Sequence, residues 1–316
     1  MGHPAVTGRI ALFLLACCVA VGCGHASHRT QATAPSTPAP SVVGAPGKPV
    51  DIGGGRSLFM HCVGSGSPTV VLEAGFGAST HAWRDVQPQL GQTTRTCAYD
   101  RAGTGNSVAP PGVRDAGDEV ADLRRLLGHA GIDPPYVLVG HSYGGVVARV
   151  FARRWPMETA GLVLIDTMGR DGRRRQLAIW PRSQAPGIRR QLATSQMDGV
   201  DLAAGEAMAS GLRTLGHTPL AVVTAGREDN FPRTPPRLAS ALRSLWGRMQ
   251  DELAALSDDS VHVVALRSDH DVPMSRGGQP SVVVSAVEAV VRATRDGTHL
   301  PPCSRIFSGS RARCRN

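Results

Sequence analysis

An apolar run, Tyr136-Val-Leu-Val, leads straight into Gly140-His141-Ser142-Tyr143-Gly144-Gly145 and from there into a helical pattern. This strand, tight turn and helix around Gly-x-Ser-x-Gly constrains the chain more than any other segment. A serine held at so sharp a turn adopts a strained backbone, and glycines at 140 and 144 remove side chains that would collide across it. The hydroxyl is then presented at a helix N-terminus. There the helix dipole and the free amide of Tyr143 favour a developing negative charge, which is the setting a nucleophilic serine needs.

The rest of the chain from Pro49 onward supplies a frame for such a turn. Short β-branched runs at 57–62, 69–73, 94–99, 136–139, 161–165, 220–224 and 261–266 alternate with helical patterns, as in a mainly parallel sheet covered by helices. One helix is expected over 118–130, with Val120, Leu123, Leu126 and Leu127 on one face and Gly131 as its stop. A second, over 143–155, groups Val146, Val147, Val150 and Phe151 ahead of Pro156. With 316 residues, 41% hydrophobic and 19% charged, the chain suits one α/β domain of this size and excludes collagen, coiled coil and a multi-pass membrane protein.

Two further glycine-rich turns flank the serine segment. Glu73-Ala74-Gly75-Phe76-Gly77 follows the Val70-Val71-Leu72 strand, where a second amide for an oxyanion would come from, that of Phe76. Tyr99-Asp100-Arg101-Ala102-Gly103 continues through Gly105 to Ser107 after the next strand. With Leu162 to Asp166, Gly226-Arg-Glu-Asp229 and Ser268-Asp-His270, these motifs in this order resemble the α/β-hydrolase superfamily over nearly all of residues 50–295. The resemblance implies an α/β fold: a mostly parallel eight-stranded sheet with helices on both faces, and a helical lid after the sixth strand, here at about 167–218.

It also implies a nucleophile, an acid and a histidine in that chain order. Carried over residue by residue, Ser142 is the nucleophile, His270 the base and Asp229 the carboxylate that orients it. Asp166 and Glu228 are the competing acids. Asp229 leads on its Gly-x-x-Asp spacing, Asp166 follows because it ends an apolar strand, and Glu228 comes last because its neighbouring position points its side chain away. The Phe76 and Tyr143 amides form the oxyanion hole. His141 reads as a structural hydrogen-bonding residue, His81 as a surface or helix-start residue, Asp100 and Arg101 as loop-fixing partners, and Trp180 and Trp246 as packing.

No cofactor or metal is expected. The cysteines and histidines show no paired zinc spacing, and no glycine-rich phosphate loop ends in Lys-Ser or Lys-Thr. The excess of 34 basic over 25 acidic residues, +9, is almost wholly arginine, scattered in pairs and triplets such as 173–175 without interleaved aromatics. Nucleic acid is therefore not the expected partner. The triplet either meets an acidic substrate or solvates a face.

The N-terminus speaks to compartment. Arg9 precedes an apolar run, 10–22, too short to span a bilayer but suited to a signal peptide, and Ala20-Val21-Gly22-Cys23 resembles a bacterial lipobox with Cys23 as the lipidated residue. Residues 1–23 are thus expected to be a signal peptide, 24–48 a tether rich in Pro, Ala, Ser and Thr, 49–298 the hydrolase domain and 299–316 a basic tail. Outside the signal region remain Cys62, Cys97, Cys303 and Cys314. The superfamily sheet places the second and fourth strands side by side, which implies a Cys62–Cys97 bridge and leaves Cys303 with Cys314.

Together these readings describe an exported serine hydrolase, lipid-anchored to the cell envelope or else secreted, that cleaves an ester-like bond of a small molecule through an acyl-enzyme on Ser142. Thioesterase, lactonase, amidase and carbon–carbon bond hydrolase activities share the machinery. A surface lipoprotein that keeps the fold without catalysis is the alternative of another class.

Overall fold

The strands next to the serine turn are apolar on both sides because helices cover both sheet faces. A computed structural model describes residues 46–181, 196–197, 199–227 and 234–315. Its strands are β1 (Lys48–Gly53), β2 (Arg56–Val63), β3 (Thr69–Glu73), β4 (Thr96–Tyr99), β5 (Tyr136–His141), β6 (Thr159–Ile165), β7 (Gln196–Met197), β8 (Val200–Asp201), β9 (Leu220–Ala225), β10 (Ser260–Ala265) and β11 (Ala312–Arg315). The helices are α1 (Gln87–Leu90), α2 (Ala116–His129), α3 (Tyr143–Arg154), α4 (Gly172–Ile179), α5 (Leu202–Ser210), α6 (Pro236–Ala254), α7 (Pro280–Asp296) and α8 (Cys303–Ile306).

Among the described residues the main sheet has nine strands in the order β1-β2-β4-β3-β5-β6-β9-β10-β11. From β4 to β10 neighbours run parallel, while β1, β2 and, at the other edge, β11 run antiparallel. Successive side chains alternate between two cores. Val71, Leu138, Leu162, Leu164 and Val222 face a cluster with α2, α3 and α5. Val70, Leu72, Val137, Val139, Val163 and Val223 face the other, with α1 and α7.

Helix α2 starts at a reciprocal capping box between Asp115 and Asp118 and buries Val120, Leu123, Leu126 and Leu127, the face expected from its spacing. Helix α3 buries Val146, Val147, Val150 and Phe151. It begins directly after β5, so the carboxyl ends of β5, β6, β9 and β10 converge on its N-terminus, where open α/β sheets carry their sites.

The ninth strand lies where a basic tail was expected. Residues 311–315 alternate Arg-Ala-Arg-Cys-Arg, a period-two pattern that puts Ala312 and Cys314 against the core and the arginines in water. Cys314 is bonded to Cys303 in α8 across 11 residues, which ties the tail to the domain. Cys62 and Cys97 sit opposite each other on antiparallel β2 and β4 and are also bonded.

Within the expected lid, the described residues form α4, the β7–β8 hairpin and α5. The arginine triplet in α4 is paired: Arg173 with Glu206 at 3.7 Å, Arg174 with Asp171 at 2.9 Å and Arg175 with Glu252 at 2.6 Å. The first and third pairs tie α4 to α5 and α6, and the second lies within the first turn of α4, a structural use of the charge. Residues 1–45, with the expected signal peptide, Cys23 and most of the tether, lie outside the described residues.

Candidate active site

The turn at Ser142 has φ 54° and ψ −120°, a region that ordinary residues avoid. Tight packing holds it there. A Cβ on Gly140 would lie 2.5 Å from the Gly144 carbonyl oxygen, and one on Gly144 would lie 2.2 Å from that of Glu73, so backbone crosses backbone where only glycine fits. The Ser142 amide donates to the Ile165 carbonyl at 2.9 Å, and the Thr167 hydroxyl donates to the Ser142 carbonyl at 2.5 Å. Residues at the end of β6 thus lock the turn from below.

His270 arrives on the loop after β10. Its Nε2 lies 2.9 Å from Ser142 Oγ, and its Nδ1 lies 2.7 Å from Asp166 Oδ2. With the proton on Nδ1, the imidazole donates to the carboxylate and accepts from the serine hydroxyl, which is the tautomer this bonding pattern assigns. Asp166 is fully buried, whereas the His270 side chain is 43% exposed, so the imidazole can meet a ligand and the carboxylate cannot. Burial disfavours the imidazolium, but the bond and charge of Asp166, with Asp271 and Asp269 nearby, outweigh it and raise His270 above the ordinary histidine range.

The place on Nδ1 expected for Asp229 is therefore held by Asp166. Asp229 and Glu228 lie outside the described residues. Asp166 reaches His270 because its own backbone turns to φ 43° immediately beyond β6, aiming the side chain across the ends of the strands. Its second oxygen accepts from the Ala225 amide at 3.1 Å and from Trp246 Nε1 at 2.8 Å. Trp246 was expected only to pack, yet it reaches the carboxylate from α6. A tryptophan in a helical stripe gives no sequence signal of a polar contact 80 residues away.

His141 is buried and bonds through Nε2 to the His270 carbonyl at 2.7 Å, the two rings lying 4.9 Å apart. Because a carbonyl only accepts, His141 carries its proton on Nε2. Burial, reinforced by the charge of a protonated His270, lowers it to about 4, so it stays neutral and supports the loop. Asp100 accepts from the Thr80 amide at 2.7 Å and the Asn106 amide at 2.8 Å, bracing the turn after β4. His81 is exposed in a short 3-10 turn, away from these contacts.

Phe76 and Tyr143 are brought together, their rings packing edge to face at 5.9 Å. Tyr143 is the first residue of α3, whose leading amides have no partner within the helix. The arrangement thus unites a hydroxyl, an imidazole, a carboxylate and the start of a helix. Chemically it can withdraw a proton from Ser142 and return it to a departing group.

A family model described as "Alpha/beta hydrolase family" matches residues 70–302. The chain belongs to this family. The uncharacterized protein YqjL of Bacillus subtilis is 27% identical over 213 residues, 67% of this chain and 80% of that protein. A 2-hydroxy-6-oxo-2,4-heptadienoate hydrolase of Pseudomonas putida is 35% identical over 121 residues, 37% of this chain and 44% of that protein. Among solved structures, a thermophilic esterase from Thermogutta terrifontis superposes with a TM-score of 0.54 at 24% identity, over 79% of this chain and 99% of that one, a likeness of fold.

Proposed function

We propose that the protein is a serine hydrolase that cleaves carboxylic esters of small molecules through an acyl-enzyme on Ser142. The observation that carries this reading is the chain of contacts from Ser142 Oγ through His270 to Asp166, at 2.9 and 2.7 Å, set on a strained turn between strand and helix. In the first half-reaction Ser142 Oγ attacks the ester carbonyl while His270 Nε2 takes its proton. The amides of Phe76 and Tyr143 receive the oxyanion, and His270 returns the proton to the leaving alkoxide. Water, deprotonated by His270, then attacks the acyl-enzyme and releases the acid and free Ser142. Asp166 stabilises the imidazolium in both halves.

Esters are favoured over amides because an alkoxide leaves with less help than an amine, and among the described residues the His270 imidazole is the acid that meets Ser142. Thioesters and lactones follow the same steps, and carbon–carbon bond hydrolysis shares the residues. Chromogenic esters of increasing acyl length, run beside thioester, lactone and amide analogues, decide among them. A fluorophosphonate probe should label Ser142 alone, and Ser142→Ala should lose both labelling and hydrolysis while still folding. Unchanged labelling of Ser142→Ala would overturn the assignment of Ser142, and a wild type that neither labels nor hydrolyses would favour a non-catalytic surface protein.

We further propose that the protein belongs to the cell envelope, exported by residues 1–23 and anchored by a lipid on Cys23. Two disulfides support an oxidising compartment. Detergent partitioning that is lost in Cys23→Ala is the expected result. A mature N-terminus beyond residue 23 without lipid would replace anchoring by secretion.

A further inference from the structure

Beneath the Phe76 turn lies an arginine that the reaction scheme above does not use. Arg101 is 4% exposed. Its Nη1 donates to the Ala74 carbonyl at 2.6 Å and to Glu73 Oε2 at 3.1 Å, and its Nη2 donates to the Gly75 carbonyl at 2.6 Å. Its Nε lies 3.5 Å from Glu119 Oε1, and the guanidinium sits 5.4 Å from the centre of the Tyr143 ring. Tyr99 donates its hydroxyl to the other oxygen of Glu73.

The Gly75 carbonyl and the Phe76 N–H belong to one planar, trans peptide group and point in opposite directions. A cation bonded to that oxygen fixes the plane of the peptide. It also draws electron density toward the oxygen, which strengthens the N–H on the other side as a donor. The second amide of the pair comes from Tyr143, whose ring rests against the same guanidinium. One buried cation therefore touches both residues that supply the amides, Phe76 through its peptide group and Tyr143 through its ring. Glu73 and Glu119 pair with its charge, so the cation persists in a dry site.

We propose that Arg101 is the positioning residue of the oxyanion hole, gripping the Gly75–Phe76 peptide by its carbonyl so that the Phe76 N–H is aimed and polarised toward the oxyanion. The inference rests on the serine hydrolase reading. An arginine is required because its planar fork spans two successive carbonyls at once, which the single ammonium of a lysine cannot do with the same geometry. Substrate binding does not draw on this contact, because the amide is stressed only when the carbonyl oxygen becomes an anion.

The test compares wild type, Arg101→Lys and Arg101→Met on one chromogenic ester and on butylboronic acid, which adds to the Ser142 hydroxyl as a tetrahedral anion. The lysine variant keeps a cation for Glu73 and Glu119, so its folding, checked by circular dichroism, is preserved. Its kcat should fall roughly 10- to 100-fold, less than the 10²–10³ expected when an oxyanion donor is removed outright. KM should stay within about twofold, and the Kd for the boronate should rise by the factor that kcat loses. In wild type, the Arg101 guanidinium ¹⁵N resonances should shift when the adduct forms.

A folded variant that keeps kcat within twofold, or that loses kcat with unchanged boronate affinity, overturns the proposal. So do Arg101 resonances that ignore the adduct. If wild type forms no adduct at Ser142 at all, the hydrolase reading fails and the proposal falls with it. An adduct-forming wild type with indifferent Arg101 variants removes the proposal alone.

Discussion

Trp246 Nε1 donates a 2.8 Å hydrogen bond to one oxygen of Asp166 while the other oxygen holds His270 Nδ1 at 2.7 Å. The indole from α6 and the carboxylate from the end of β6 thus share the task of aiming the imidazole at Ser142. Trp246→Phe keeps the ring and removes the donor. A hydrogen bond to a charged group contributes about 1.5–3 kcal/mol, so kcat should fall roughly 10- to 100-fold with KM little changed. Steady-state kinetics on a chromogenic ester checks this, and an unaltered kcat would mean that the Ala225 amide alone suffices.

The choice of acid is open to direct measurement. Asp166→Asn should leave KM nearly intact and lower turnover by a factor on the order of 10⁴, the cost of losing this role in serine proteases. Asp229→Asn should keep kcat within a few-fold. The reverse pattern would return the role to Asp229.

The pH profile should report His270. Its pKa is raised, chiefly by Asp166 against the opposing effect of burial, and only the neutral imidazole can take the Ser142 proton. Activity should therefore be lost on acidification at an inflection above the ordinary value of about 6.5. His141, lowered to about 4, stays neutral throughout that range and adds no second step. In residual-activity measurements Asp166→Asn should move the inflection to lower pH; an inflection that stays put would detach the titration from this pair.

The tail bridge should matter for stability rather than chemistry. Cys303 and Cys314 close a loop of 11 residues, for which chain entropy gives about 3 kcal/mol. The double serine variant should unfold at lower temperature and exchange the β10–β11 amides faster, with kcat unchanged because His270 lies on the opposite side of Ala265 from that pairing. A large loss of kcat would show that β11 helps seat the His270 loop.

The two bridges should also be separable by mapping without reduction. Cys62–Cys97 closes 35 residues and joins β2 to β4, so its loss should cost more, about 4 kcal/mol on the same model. Recovery of both cysteines as free thiols from exported protein would contradict the pairing.

The α/β class, the turn at Ser142 and the apolar faces of α2 and α3 were legible from sequence, because each depends on local chemistry: glycines where backbone crosses backbone, apolar residues at period two or 3.6, a serine between strand and helix. The edge strand β11 was also written in its alternating Arg-Ala-Arg-Cys-Arg, although its basic charge pointed to a loose tail. Tertiary structure alone decided which carboxylate faces His270. In chain order Asp166 comes directly after β6 and Asp229 a few residues after β9, and chain spacing favoured the second. What selects Asp166 is its turn at φ 43° and two donors, the Ala225 amide and the Trp246 indole, that come from β9 and α6. Those donors meet only after the sheet and helices have packed, so no local pattern carries them.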